Sequence, residues 1–183
     1  MKKIINLFKS ILSIPGIILR SITRVWPIEL YGNNLRRWYY RKKFHSFGEK
    51  SIIQQGCTVF FPELMQIGHS SSVGRYTELN PGPGEKPCLV VGDNTWIGPY
   101  CFFRTSNHRF DDPDKLFIEQ GSEEKKIILG DDVYVGAKCI FLGGADVGNH
   151  SVISAGSVVS IKIPPYSIVA GNPARVIRKR KEV

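Results

Sequence analysis

Along the second half of the chain an aliphatic or aromatic residue returns at every sixth position: Leu129, Val135, Phe141, Val147, Ile153 and Val159. Further upstream the same kind of residue precedes glycine at Phe47-Gly48, Ile67-Gly68, Val73-Gly74, Val91-Gly92 and Ile97-Gly98. The residue four places after each apolar one is small or β-branched: Ser51, Cys57, Ser71, Thr77, Thr95, Cys101, Val133, Cys139, Ala145, Ser151 and Ser157. A fixed short period is the signature of a repeat architecture. Both positions should point inward, the large residue filling the centre of a narrow parallel coil and the small one letting the backbone bend at the corner.

Grouped in threes, the apolar positions are 47, 53, 59; 67, 73, 79; 91, 97, 103; 129, 135, 141; and 147, 153, 159. Each triplet predicts one triangular coil, and five coils at ordinary strand separation make a prism roughly 20–25 Å tall. The steps between triplets are 8, 12, 26 and 6 residues, so 2, 6, 20 and 0 residues exceed the repeat. Every insertion therefore follows the third strand of a coil, on a single edge of the prism. Variable chemistry is expected on that edge. The division is an N-terminal helical extension over 1–46, a β-helix over 47–170 with a loop insertion at 109–126, and a basic tail over 171–183.

The net charge of +9 is not spread evenly. Residues 1–50 hold eleven Lys/Arg against two acidic residues, whereas residues 51–183 hold fourteen against fourteen. The apolar residues Ile4, Ile5, Leu7, Phe8, Ile11, Leu12, Ile17, Ile18 and Leu19 alternate with Lys2, Lys3, Lys9, Arg20 and Arg24, and Arg36-Arg37-Trp38-Tyr39-Tyr40-Arg41-Lys42-Lys43 follows. Two readings stay open: residues 1–43 touch an anionic membrane surface, or they form a helical lid over the first coil. The opening stretch lacks a small-x-small cleavage site, and Lys9 and Pro15 break it too early to span a bilayer. Nucleic-acid binding is the poorer account, because no binding fold accompanies the charge. Four cysteines without a CxxC pair fit a reduced, cytoplasmic protein, and three of them occupy the repeated interior position.

Residues 129–178 resemble the C-terminal coils of the galactoside and maltose O-acetyltransferase group of hexapeptide-repeat enzymes. The resemblance rests on Ile163-Pro164-Pro165 and on Ala170-Gly171-Asn172-Pro173-Ala174-Arg175-Val176-Ile177. It implies an all-β, left-handed parallel β-helix, a homotrimer, and acetyl-CoA bound in a groove between subunits, with no metal. Ala137 and Ala155 match positions whose backbone lines the pantetheine groove, and Arg175 and Arg178 match basic residues near the coenzyme phosphates. Guanidinium suits that place because it offers fixed, multiple donors and stays charged. The family's Thr-Lys step reads Ser160-Ile161, with Lys162 one residue later; Ser160 keeps the hydroxyl.

Acyl transfer from a thioester to a hydroxyl needs a base for the alcohol proton and then an acid for the departing thiolate. One imidazole can serve both steps. His69 and His150 fall in outward turns and His45 in the basic arm, whereas His108 ends the third strand of the third coil, just before the 20-residue insertion. Related acetyltransferases place their catalytic histidine at the corresponding spot. Asp111, Asp112, Asp114, Glu119, Glu123 and Glu124 follow in the loop, any of which could orient the imidazole or the sugar. Asn80, on the same edge one coil earlier, is the candidate substrate contact, and Trp96 and Tyr134 are expected in the walls.

The function expected is therefore acetyl-CoA-dependent O-acetylation of a sugar, nucleotide-linked or lipid-linked, in surface polysaccharide synthesis. N-acetylation of an amino sugar or antibiotic, and a trimeric scaffold without catalysis, are the alternatives. A γ-type carbonic anhydrase would need three converging histidines, which His69, His108 and His150 do not supply.

Overall fold

The computed structural model of the chain describes residues 16–27, 31–82 and 86–180. From residue 46 the backbone winds through short parallel strands that pass in rotation through three sheets, interrupted by one hairpin. The first sheet stacks β1 (Ser46–Phe47), β4 (Met65–Ile67), β7 (Leu89–Val91), β12 (Ile127–Leu129), β15 (Asp146–Val147) and β18 (Lys162–Ile163). The second holds β2 (Ile52–Ile53), β5 (Ser72–Val73), β8 (Trp96–Ile97), β13 (Tyr134–Val135), β16 (Val152–Ile153) and β19 (Ser167–Ala170). The third holds β3 (Thr58–Val59), β6 (Glu78–Asn80), β9 (Phe102–Arg104), β14 (Ile140–Leu142) and β17 (Val158–Val159). Successive strands thus form the turns of a parallel β-helix.

The register lays each apolar position on the next, Val73 on Ile97, Ile97 on Val135 and Val135 on Ile153. These side chains fill the interior with almost no exposure, and Phe103 and Phe141 stack there with ring centroids 4.6 Å apart. The small residues four places on are buried as well, and they do more than leave room. Several carry a donor toward a corner of the following turn: Ser71 Oγ to Gly92 O (2.7 Å), Thr95 Oγ1 to Gly130 O (2.7 Å), Cys57 Sγ to Gly74 O (3.0 Å) and Cys139 Sγ to Ser154 O (3.2 Å). Hydroxyls and thiols recur there because a buried carbonyl needs a partner. All four cysteines are buried and unbridged.

The corners between the first and second sheets require a left-handed residue in every turn. Lys50, Ser70, Asn94, Asp132, His150 and Tyr166 take it, with φ between 50° and 60°. A second device ties the same corner together: Asp93 Oδ1 accepts from His69 N–H (2.6 Å), Asp131 Oδ1 from Asp93 N–H (2.7 Å), and Asn149 Oδ1 from Asp131 N–H (3.0 Å).

Between turns the backbone bonds run both ways: Ile52 N donates to Ser71 O and Gln54 N to Val73 O, while Ser70 N donates to Glu49 O and Tyr76 N to Gln55 O. The first turn is left with carbonyls that no earlier turn can use. Two helices, α1 (Gly16–Val25) and α2 (Gly32–Arg41), supply the donors. Arg36 Nε donates to Ile53 O (2.9 Å), Arg37 Nε to Ser51 O (3.1 Å) and Arg20 Nη2 to Val59 O (2.7 Å). Leu35, Arg36 and Tyr40 are buried in α2, and burial holds the Arg36 guanidinium below its ordinary pKa. For residues 32–41 the lid reading is therefore what the fold contains. Residues 1–15, the rest of the amphipathic segment, lie outside the described residues. No helix among the described residues is long and apolar enough to cross a membrane.

The far end closes differently. Residues 175–179, which the sequence presents as part of a basic tail, form β20 (Arg175–Lys179) and pair antiparallel with β19. The paired strand covers the edge that the last turn would otherwise expose.

Candidate functional site

The 20-residue insertion departs from the third sheet as a hairpin, β10 (Ser106–His108) against β11 (Ser122–Glu124), with His108 opposite Ser122. His108 is exposed near the tip of this pairing. It opens on a cleft of about 560 Å³ lined by Ser106, Asn107, Arg109, Phe110, Asp111, Glu123, Leu142 and Ser160. Ser160 reaches that cleft because it follows β17, two turns above β9, on the same edge. Asn80 belongs to this edge too, since Asn80 aligns with Arg104 and Arg104 with Leu142. Its amide nitrogen, however, donates to Glu78 Oε1 (3.2 Å), and Asn80 does not line the His108 cleft.

The acidic residues of the insertion sort themselves by contact. Asp111 and Glu123 face the cleft, Glu123 also pairing with Lys125 (2.9 Å). Asp112 is bound to Lys115 (2.8 Å), and Glu119 Oε2 accepts from Leu116 N–H (3.3 Å). Glu124 turns inward to Thr105, whose hydroxyl lies 3.3 Å from Glu124 Oε2 and accepts from Gly82 N–H (2.8 Å). Thr105 is buried, and Lys125 N–H donates to its carbonyl (3.0 Å). The root of the hairpin is thereby fastened to the Pro-Gly insertion that follows Asn80. No repeat position marks Thr105, and its role was not legible in the sequence.

Ala137 and Ala155 sit on a different edge, between the second and third sheets. Gly156 N–H donates to Ala137 O (2.9 Å), and a Cβ on Gly136 would come within 2.5 Å of Ala155 N, so these turns are stacked at backbone contact. Ala155 and Gly156 are exposed, which leaves main-chain groups open to an extended ligand. Arg175 and Arg178 lie exposed on β20; Arg175 Nη1 donates to Ala174 O (2.8 Å) and Arg178 Nη1 to Lys179 O (3.4 Å). Neither meets a carboxylate among the described residues, so both keep donors for an anion. Exposed main chain at a corner of small residues suits a narrow, extended ligand, and guanidinium groups without a carboxylate partner suit phosphates.

One chain therefore does not gather the expected residues in one place. His108, Ser160 and Asn80 share one edge, while Ala137 and Ala155 share another. Trp96 and Tyr134 are neighbours on the outer face of the second sheet and line a separate cleft with Asp132 and Arg180. There His150 Nδ1 lies 3.0 Å from Asp132 Oδ2, which also accepts from Arg180 Nη1 (3.2 Å). The hydrogen bond with His150, helped by the Arg180 charge, holds the Asp132 carboxyl below its ordinary range. Among the described residues no group of three or more His, Cys, Asp or Glu is placed to hold a metal ion.

A family model for the bacterial transferase hexapeptide (six repeats) matches residues 126–160. The galactoside O-acetyltransferase of Escherichia coli (strain K12) is 28% identical over 143 residues, 76% of this chain and 66% of that protein. A probable acetyltransferase of Mycobacterium tuberculosis is 26% identical over 155 residues, 84% of this chain but 46% of its own length. The chain thus spans about half of that relative. A solved hexapeptide-repeat acetyltransferase of Vibrio cholerae, complexed with acetyl coenzyme A, superimposes with a TM-score of 0.75 at 27% identity, covering 90% of this chain and 84% of that one. The three-sheet helix, its six-residue period and these likenesses agree: the chain is similar to the hexapeptide-repeat acetyltransferases in fold and in the sequence of its coils.

Proposed function

We propose that the protein transfers an acetyl group from coenzyme A to a sugar hydroxyl, with His108 as the general base. The observation that carries this reading is that His108 and Ser160, distant in sequence, open on one cleft beside the insertion. In the reaction His108 takes the acceptor hydroxyl proton as the oxygen attacks the thioester carbon. The carbon–sulfur bond then breaks, and the proton passes to the departing thiolate. Asp111 and Glu123, which line the cleft, can hold acceptor hydroxyls.

The prism in this reading winds left-handed through five full turns, and the protein works as a trimer. Two edges of one chain bear complementary parts of the site, so the coenzyme lies along Ala137 and Ala155 of one subunit while its thioester meets His108 of the next. Arg175 and Arg178 take the phosphates. The acceptor is a nucleotide-linked or lipid-linked saccharide of surface polysaccharide synthesis, handled in the cytoplasm.

The test is release of free thiol from acetyl-CoA across a panel of neutral and amino sugars, with His108→Ala alongside. Turnover should fall about a hundred- to ten-thousandfold, the usual worth of general acid–base catalysis, while calorimetric affinity for coenzyme A holds. Equal turnover in both proteins would remove His108 from the mechanism. Acetylation confined to amino sugars would move the reaction from oxygen to nitrogen.

A further inference from the structure

The cationic residues of the N-terminal cap divide into two sets. Arg20, Arg36 and Arg37 point their guanidinium groups at carbonyls of the first turn. Arg41, Lys42 and Lys43 are exposed, and no carboxylate pairs with them among the described residues. From Tyr31 to Gly48 the chain has five Lys/Arg and no acidic residue. Asn34, Arg37, Trp38, Arg41 and Lys42 lie at helical spacings of three and four and line one shallow hollow on α2, with Lys42 Nζ 4.9 Å from the Trp38 ring centroid. This is the face opposite to buried Leu35, Arg36 and Tyr40.

We infer that this outer face of α2 docks the protein on an anionic lipid surface. Arg41, Lys42 and Lys43 are left without a carboxylate partner once the first turn is capped, Lys42 lies against the Trp38 ring, and the same N-terminal segment exposes further aromatic and aliphatic side chains. Tyr31 is 69% exposed, and Val25 and Ile18, one face of α1, are 62% and 46% exposed. A phosphate backbone would use the cations alone. A bilayer interface uses both kinds of group, the cations at the headgroups and the aromatic and aliphatic side chains at the acyl boundary. The basic, apolar sequence of residues 1–15 continues the same composition. The His108 cleft lies on later turns, so docking by this end leaves it open.

The experiment is co-sedimentation of the full chain with vesicles of phosphatidylcholine alone and of an equimolar mixture with phosphatidylserine. Three variants accompany it: Arg41→Glu/Lys42→Glu/Lys43→Glu, the milder Arg41→Gln/Lys42→Gln/Lys43→Gln, and Trp38→Ala, each checked for native circular dichroism. Binding should need phosphatidylserine, weaken with salt, and drop on the order of a hundredfold in the glutamine triple variant, about fivefold per charge. Trp38→Ala should weaken it at every salt concentration. Equal binding to neutral vesicles, or full retention by the glutamine variant, would overturn the inference. So would duplex DNA holding the protein more tightly than the anionic vesicles.

Discussion

Arg36 Nε donates a 2.9 Å hydrogen bond to the carbonyl of Ile53, and the same guanidinium reaches Trp26 O at 2.7 Å and Asn33 Oδ1 at 2.8 Å. The contact explains part of the charge asymmetry of the chain. The first turn has no earlier turn to pair with, so its carbonyls at Ser51, Ile53 and Val59 take their donors from the N-terminal helices. Arginine closes that turn better than any neutral donor, because one fork satisfies several carbonyls that are fixed in place.

Arg36→Met keeps most of the volume and removes all donors. It removes the donors to the buried carbonyls of Ile53 and Thr23, each costing about 1–3 kcal/mol, and to the partly buried carbonyl of Trp26. A loss of several kcal/mol in a chain of this size corresponds to a melting temperature lower by roughly 10 °C. Arg36→Lys should recover only part. A melting curve within about 2 °C of wild type for the Met variant would rule out the capping role.

The hydroxyl at the second repeat position makes a sharper test, because it can be deleted without changing shape. Thr95 Oγ1 donates to Gly130 O at 2.7 Å and accepts from Val133 N–H at 3.1 Å. Thr95→Val leaves both groups unpaired inside the prism and should cost about 2–4 kcal/mol in urea unfolding, the sum of two such losses. Thiol release should be unchanged, since Thr95 faces neither cleft. A cost under about 0.5 kcal/mol, the level of an ordinary surface change, would mean that the position asks only for small size.

The prism was legible because its geometry is periodic. Leu129, Val135 and Phe141 announce three strands, and a chain that must return to the same sheet every third strand cannot hide its register. His108 was legible for a related reason: it stands where the period breaks. Thr105, Glu124 and the antiparallel pairing of 106–108 with 122–124 were not, because inside an insertion contacts are set by local hydrogen bonding that no period records. The strand at 175–179 was hidden behind its charge, since Arg175-Val176-Ile177-Arg178-Lys179 alternates too weakly to mark a face. The arginine caps at the opposite end looked like surface charge, because the sequence does not tell which carbonyls lack partners.

The second cleft carries a pH dependence whose sign is fixed by Asp132. Its carboxyl is held low, first by the hydrogen bond with His150 and then by the charge of Arg180, which itself donates to His150 O at 3.1 Å. A group with a depressed pKa stabilises the fold above its unfolded value, about 3.9 for aspartate, and that contribution fades as pH falls through the folded value. Arg180 follows β20 directly, so the end of that strand should loosen below about pH 4. Amide exchange of residues 175–180 should rise there in wild type, and Asp132→Asn should show the raised exchange already at neutral pH. Identical exchange in both proteins at neutral pH would show that Asp132 does not hold the strand.

Thr105 offers the most direct way to separate positioning from folding at the proposed site. Its hydroxyl joins Gly82 N–H to Glu124, so a single side chain fixes the hairpin that carries His108 against the insertion after Asn80. Thr105→Val removes both contacts while preserving shape. Displacing a catalytic group by about 1 Å costs on the order of a hundredfold in rate, so kcat should fall by about tenfold or more. The KM for acetyl-CoA should move less than about twofold, because the coenzyme's proposed contacts at Ala137 and Ala155 stand on another edge and supply binding that is uniform through the reaction. A rise in coenzyme KM at constant kcat would place the effect on the groove, and would assign Thr105 to packing instead of to the orientation of His108.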